Sequence, residues 1–186
     1  MILNPTFKKT KMNKFSSSNY SGNIRLIKEF KDVAECPDYE GIQLFGFVEN
    51  MIHGVLKGPP DTFYENGFFQ FTLIYPIETY PFKPPQFYFN TQIFHPNIDQ
   101  YGLVSVDILQ DQWITFITLG KIIISVQSLL GDPNPDVFVN EEAAKLYKEN
   151  LSEYEKTVRK NTSEFANFET VQNDLKKLNF KMELDI

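Results

Sequence analysis

Ser105 follows His95 and precedes Asp107 in the run His95-Pro96-Asn97-Ile98-Asp99-Gln100-Tyr101-Gly102-Leu103-Val104-Ser105-Val106-Asp107-Ile108-Leu109, with Trp113 a few residues on. A hydroxyl, an imidazole and a carboxylate at such spacing suggest first a nucleophile, its general base and the group that orients the base. That triad reading meets two objections. Ser105 lacks the Gly-x-Ser-x-Gly elbow that lifts a hydrolase serine above its sheet, and Asp107 comes so soon after Ser105 that a strand would lay both along one short segment.

The elements that must position these residues follow from apolar spacing. Residues 1–19, with Lys8, Lys9, Lys11, Lys14 and Ser16 to Ser18, are polar and aperiodic, so they read as a flexible basic extension. From Ile24 to Val33 the apolar Leu26, Phe30 and Val33 fall at i, i+4 and i+7, with Arg25, Lys28, Lys31 and Asp32 on the other face. This spacing predicts an amphipathic helix ending near Pro37. Four strand-like runs follow, Ile42 to Val48, Ile52 to Lys57, Phe68 to Tyr75 and Gln86 to Asn90, separated by Gly-, Pro- and Asn-rich punctuation. They predict an antiparallel meander. In the third run Phe69, Phe71 and Leu73 alternate with Gln70 and Thr72, which predicts one buried face and one that meets solvent. Beyond Ser105 the period changes to helical: a helix from about Thr118, two more over Glu141 to Leu151 and Ser152 to Phe165, and a last amphipathic one through Val171, Leu175 and Leu178. Helix, sheet, then helices is the order of an α+β domain.

Composition narrows the function classes. The 186 residues, 42% hydrophobic, are enough for one substantial core, so one domain with short appendages is expected. Cys36 is the only cysteine and His53 and His95 the only histidines, so no internal disulfide and no Cys/His zinc site can be assembled, and no metal or other cofactor is implied. No apolar run reaches the length of a membrane span, and no secretory signal opens the chain, so a cytoplasmic or nuclear location without membrane contact is expected. The net charge of −6 is uneven: residues 1–31 hold seven Lys/Arg and one acid, while the remainder is strongly acidic. The basic end lacks the interleaved aromatics of a stacking platform and the acidic body repels phosphate, so nucleic acid is not the expected partner.

Several short motifs then fall in one order. They are Gly58-Pro59, Tyr80-Pro81-Phe82-Lys83-Pro84-Pro85, His95-Pro96-Asn97, the Ser105 segment, Trp113, and Ser128-Leu129-Leu130 running to Asp132-Pro133-Asn134-Pro135. Across roughly residues 20–166 this pattern resembles the ubiquitin-conjugating enzymes, with residues 167–186 left as a helical tail that packs on the domain, binds a partner or frays. The resemblance implies the ubiquitin-conjugating fold. It implies partners as well: ubiquitin or a ubiquitin-like modifier, an activating enzyme, and a ubiquitin ligase or an active conjugating enzyme. It places Ser105 where the family keeps its thioester-forming cysteine. It also implies that Arg25, Lys28, Lys31, Phe82 and the loop Ile114-Thr115-Phe116 form the partner surface, although Phe82 packed into the core is an alternative.

A thiol near its reference pKa of about 8.5 is partly ionised at neutrality and makes a reactive acyl donor. A serine hydroxyl is far less acidic, and its ester is a sluggish donor. Ser105 therefore predicts no ordinary turnover, and at most a long-lived oxyester. By family counterpart Asn97 stabilises an oxyanion, and by local chemistry it hydrogen-bonds its own turn; both readings stand together. His95, largely structural in the family, reads here as a turn-stabilising imidazole, and Asp107 is kept. Where the family commonly carries an acid after Asp136 this chain has Val137, and Ile114-Thr115-Phe116 replaces the usual Ser-Pro-Ala. Three functional readings follow: a non-turnover variant acting as partner or regulator, an active conjugating enzyme presented in a Cys-to-Ser form, and an interaction module that uses the fold without ubiquitin.

Overall fold

A computed structural model describes residues 6–7, 24–39, 41–180, 182 and 184–185. Of the basic extension, β1 (Thr6–Phe7) is described, and it pairs with a last strand, β6 (Leu184–Asp185); Lys8, Lys9, Lys11, Lys14 and Ser16 to Ser18 lie outside the described residues. The expected helix is α1 (Ile24–Glu35), whose Leu26, Phe30 and Val33 are buried. The meander is β2 (Ile42–Val48), β3 (Met51–Lys57), β4 (Phe68–Ile74) and β5 (Gln86–Phe89), antiparallel throughout in the order β2-β3-β4-β5, with a register shift between Leu44 and Gly46. After the Ser105 segment come α2 (Leu119–Gly131), α3 (Glu141–Glu149), α4 (Leu151–Phe165) and α5 (Phe168–Lys177). Four of these helix starts are set by local chemistry, since Thr118, Asn140, Asn150 and Asn167 each accept a hydrogen bond from a first-turn backbone N–H.

The main core lies on the inner face of the sheet. Leu44, Ile52, Leu56, Phe69, Phe71, Leu73, Phe87 and Phe89 pack there against the α2 stripe Leu119, Ile122, Ile123, Val126 and Leu130, and α1 closes one side with Leu26, Phe30 and Val33. Phe71 and Phe87 stack at 4.9 Å between ring centroids across the β4–β5 ladder. Tyr64 caps this core near α4: its hydroxyl donates to Phe94 O at 2.7 Å and accepts from Tyr154 Oη at 2.8 Å.

One expectation is corrected. Gln70 and Thr72, assigned to a solvent-facing side of β4, are each 5% exposed. The reason is α5, which crosses the outer face of the sheet and builds a second apolar cluster of Val55, Phe68, Val171, Leu175 and Met182, with Phe45 and Phe180 stacked at its edge at 5.2 Å. The polar atoms beneath are satisfied: Thr72 Oγ1 donates to Asn90 Oδ1 at 2.7 Å and lies 3.0 Å from His53 Nδ1, so that imidazole donates to it. Of the three fates open to residues 167–186, the helix packs on the domain.

This second cluster makes a measurable claim. Leu175 is fully buried between α5 and the sheet, whereas Leu178, at the end of the same helix, is 49% exposed. Leu175→Ala is expected to lower the unfolding free energy in urea by about 2–3 kcal/mol, and Leu178→Ala by about 0.5 kcal/mol or less.

Candidate functional site

The chain carrying Ser105 is laid along the outer edge of β5. Phe89 N–H donates to Gly102 O at 2.8 Å and Val104 N–H to Phe87 O at 2.9 Å, so residues 102–104 act as a short extra strand. Gly102 permits that approach: its φ is +85°, and a side chain there would run into the Phe89 carbonyl. On the other side Ile98 bridges Val104, and Asn97 O accepts the Ser105 N–H at 2.9 Å. Ser105 is thus held by its backbone between β5 and the His-Pro-Asn turn, and its side chain is half-buried.

Past Ser105 the chain does not continue as a strand. Asp107–Leu109 form a 3-10 turn, in which the exposed Asp107 carboxylate accepts the Ile108 N–H at 2.7 Å. The turn folds the next side chain back, and Gln110 Nε2 donates to Ser105 Oγ at 3.0 Å.

His95 faces away from this chemistry. It is fully buried, its Nδ1 accepts the Asn97 N–H at 3.0 Å, and its Nε2 donates to Leu129 O at 2.9 Å. A ring nitrogen that accepts from a backbone N–H carries no proton, which fixes the tautomer and leaves no nitrogen for Ser105 or Asp107. The Ser105, His95, Asp107 triad is therefore not assembled. Burial pushes the imidazole down to about 4, against the backbone bond from Leu129, which favours the charged form.

Asn97, 2% exposed, is equally committed. Its Nδ2 donates to Asn134 O at 2.8 Å and Val137 O at 2.6 Å, and its Oδ1 accepts the Asn134 N–H at 2.9 Å. The loop it pins presents Val137 to solvent, while Asp136 pairs with Lys148 at 2.6 Å. The expected side-chain bond to its own turn is thus replaced by bonds to the remote 134–137 loop, and within the turn it is the Asn97 backbone N–H that is bonded, to His95 Nδ1.

The implied partner surface forms around two loops. Phe82 is 80% exposed, so it is presented outward and not packed in the core, and Phe116 at 81% and Ile114 at 59% accompany it. Trp113 Nε1 donates to Pro81 O at 2.9 Å and so ties the loop of Phe82 to that of Ile114 and Phe116. Lys28 and Lys31 are exposed on α1. Arg25 is used internally: it pairs with Glu29 at 2.5 Å, donates to Ile117 O at 3.1 Å and lies over the Tyr80 ring. The Glu29 carboxylate, 6% exposed, also accepts the Tyr80 hydroxyl at 3.0 Å and the Leu119 N–H at 2.9 Å. Burial, and then the Glu29 carboxylate, raise the Tyr80 phenol above its ordinary range, so it stays a donor. Among the described residues no three His, Cys, Asp or Glu side chains gather as a metal site.

Two members of the site were missed in the sequence. Glu29 carried a signal, a carboxylate on the same stripe as Leu26, Phe30 and Val33, where an unpaired charge would be costly. Gln110 carried none, because its contact depends on the 3-10 turn.

The neutral buried state of His95 gives stability a pH dependence. Because the folded pKa, about 4, lies below the unfolded value, the unfolded chain binds the extra proton, and stability is lost as pH falls from about 6.5 towards 4. Between pH 7 and pH 5 the loss is expected to be about 2 kcal/mol. His95→Gln removes this titration while His53, also lowered by burial, still titrates. Comparing the two proteins by urea unfolding at both pH values isolates His95, and equal pH slopes would contradict the assignment.

The arrangement leaves the Ser105 hydroxyl half-buried with a carboxamide donor on it and the His95 imidazole committed elsewhere. The family model described as ubiquitin-conjugating enzyme matches residues 25–162. That match spans most of the chain and agrees with an N-terminal helix, a four-stranded antiparallel sheet and C-terminal helices, so the chain belongs to the ubiquitin-conjugating enzyme family.

Proposed function

We propose that this chain is a non-turnover member of the ubiquitin or ubiquitin-like transfer pathway, acting as a partner or regulator of active components. The observation that carries the reading is Ser105 itself, a hydroxyl at the position where the family forms its thioester. What supports it is that both nitrogens of His95 are occupied elsewhere and that, among the described residues, no base is bonded to the Ser105 hydroxyl. Val137 adds to this reading: an exposed isopropyl group stands where a carboxylate would orient the incoming amine, and the neighbouring Asp136 is paired with Lys148.

The proposed docking surface for an activating enzyme or a ligase is Phe82, Ile114 and Phe116 with Lys28 and Lys31 beside them, and Arg25 contributes by fixing the loop at Ile117. The proposed place of action is the cytoplasm or nucleus. A second reading has one observation in its favour. The backbone frame that presents position 105, from Gly102 to Asn97, is fully formed, as expected of an active enzyme shown in a Cys-to-Ser form.

Intact-mass analysis of the chain and of Ser105→Cys, each incubated with activating enzyme, ATP and ubiquitin, tests both readings. The expected result is a thiol-labile adduct on Ser105→Cys, at most a thiol-resistant one on the serine form, and no lysine conjugate that depends on the serine form. Lysine conjugation by the serine form would overturn the proposal. Absence of any adduct on either form, with ubiquitin-like modifiers tried in turn, would favour an interaction module that uses the fold alone.

A further inference from the structure

We infer that Gln110 supplies a hydrogen-bond donor that stabilises negative charge on the reacting atom at position 105, a task separate from the acyl oxyanion that family likeness assigns to Asn97. The inference rests on the reading above, in which position 105 carries an acyl group. Two sets of contacts lead to it.

The first is the commitment of Asn97. Its two amide hydrogens go to Asn134 O and Val137 O, its oxygen takes the Asn134 N–H, and the side chain is 2% exposed. Turning it towards an acyl group at 105 would break three buried hydrogen bonds, leave their buried partners unpaired and release the 134–137 loop. The second is the placement of Gln110. Its Nε2 already lies 3.0 Å from Ser105 Oγ on the exposed side of the segment. Its backbone is fixed by the turn, since Gln110 N–H and Gln112 N–H both donate to Asp107 O, at 2.9 and 3.0 Å. A carboxamide nitrogen has two hydrogens, so one can stay on the atom at 105 while the other is offered to an acyl oxygen.

The chemistry needs a donor at that point and not a proton carrier. In charging, Ser105 Oγ forms a bond to the carbonyl carbon of the modifier held as a thioester on the activating enzyme, the C–S bond breaks, and the thiolate leaves as the hydroxyl proton passes to water. In discharge, which is followed in the Ser105→Cys form, an amine nitrogen bonds to the same carbon, the C–Sγ bond breaks with its electron pair moving to Sγ, and the amine proton passes to water. Negative charge grows on that atom as the bond breaks, and an N–H pointed at it lowers the barrier without itself being transferred.

The Ser105→Cys form of the full chain makes the charge on this atom measurable, because its thiol titrates in an accessible range. The pH dependence of alkylation by iodoacetamide at position 105 is followed by peptide mass, which separates it from Cys36. Asp107 and Asp111, the carboxylates on this segment, are present in every form, so differences report position 110 alone. Adding Gln110→Met or Gln110→Leu is expected to raise the alkylation midpoint by about half a pH unit and to slow discharge of ubiquitin to free lysine about three- to tenfold. Gln110→Arg, which keeps a donor, is expected to restore both. Asn97→Ala is expected to lower the melting temperature and leave the midpoint in place. A midpoint unmoved in both donor-free variants, or one that moves with Asn97→Ala instead, overturns the inference. Its failure is distinguishable from failure of the proposed function, because alkylation needs no modifier, whereas a missing ubiquitin adduct speaks only to the function.

Discussion

The carboxamide of Asn97 is the clasp on which the join between the His-Pro-Asn turn and the loop after α2 depends. Three hydrogen bonds from one buried side chain join the His-Pro-Asn turn to the loop after α2, and the backbone oxygen of the same residue holds the Ser105 N–H. The residues on either side extend the clasp. His95 fastens the turn to the last turn of α2 through Leu129, and Pro96 O accepts the N–H groups of Val139 and Asn140, where α3 begins. Ser105 and three stretches between residues 129 and 140 thus meet at three consecutive residues. Since buried amides left without partners are costly, the turn, the loop and the start of α3 hold together or are lost together.

A second buried polar group organises the opposite end of the site. Glu29 is a carboxylate inside the apolar stripe of α1, and it is tolerable there because Arg25, the Tyr80 hydroxyl and the Leu119 N–H all bond to it. These partners belong to α1, to the start of the proline-rich loop and to the start of α2. Together with the Trp113 bond to Pro81, they give the exposed rings of Phe82 and Phe116 fixed supports. An apolar side chain presented from a rigid loop loses little conformational freedom on contact, which favours docking by shape over docking by adjustment.

Much of this was legible in the sequence because local period encodes local structure. Leu26, Phe30 and Val33 marked α1, the alternation of Phe69, Phe71 and Leu73 marked the inner face of β4, and the stripe from Leu119 to Leu130 marked α2. The order of short motifs pointed to the family. The failures share one cause, dependence on residues remote in the chain. Gln70 and Thr72 obey the pattern of a half-exposed strand and are nevertheless buried, since the pattern holds no record of α5 lying above them. Gln110 reaches Ser105 through a turn that interrupts the expected extended segment. The bonds of Arg25 to Glu29 and Ile117 likewise were not legible, because they exist only in the folded arrangement.

The position of α5 also limits how this molecule can be approached. A four-stranded sheet ordinarily offers one broad face to other molecules once its own helices cover the reverse side. Here α2 covers one face, and α5 with Phe180 and Met182 occupies the other. With both broad sides of its central layer occupied from within, the large apolar rings it leaves to solvent near position 105, Phe82 and Phe116, stand on loops at the rim and not on the flat surface of the sheet.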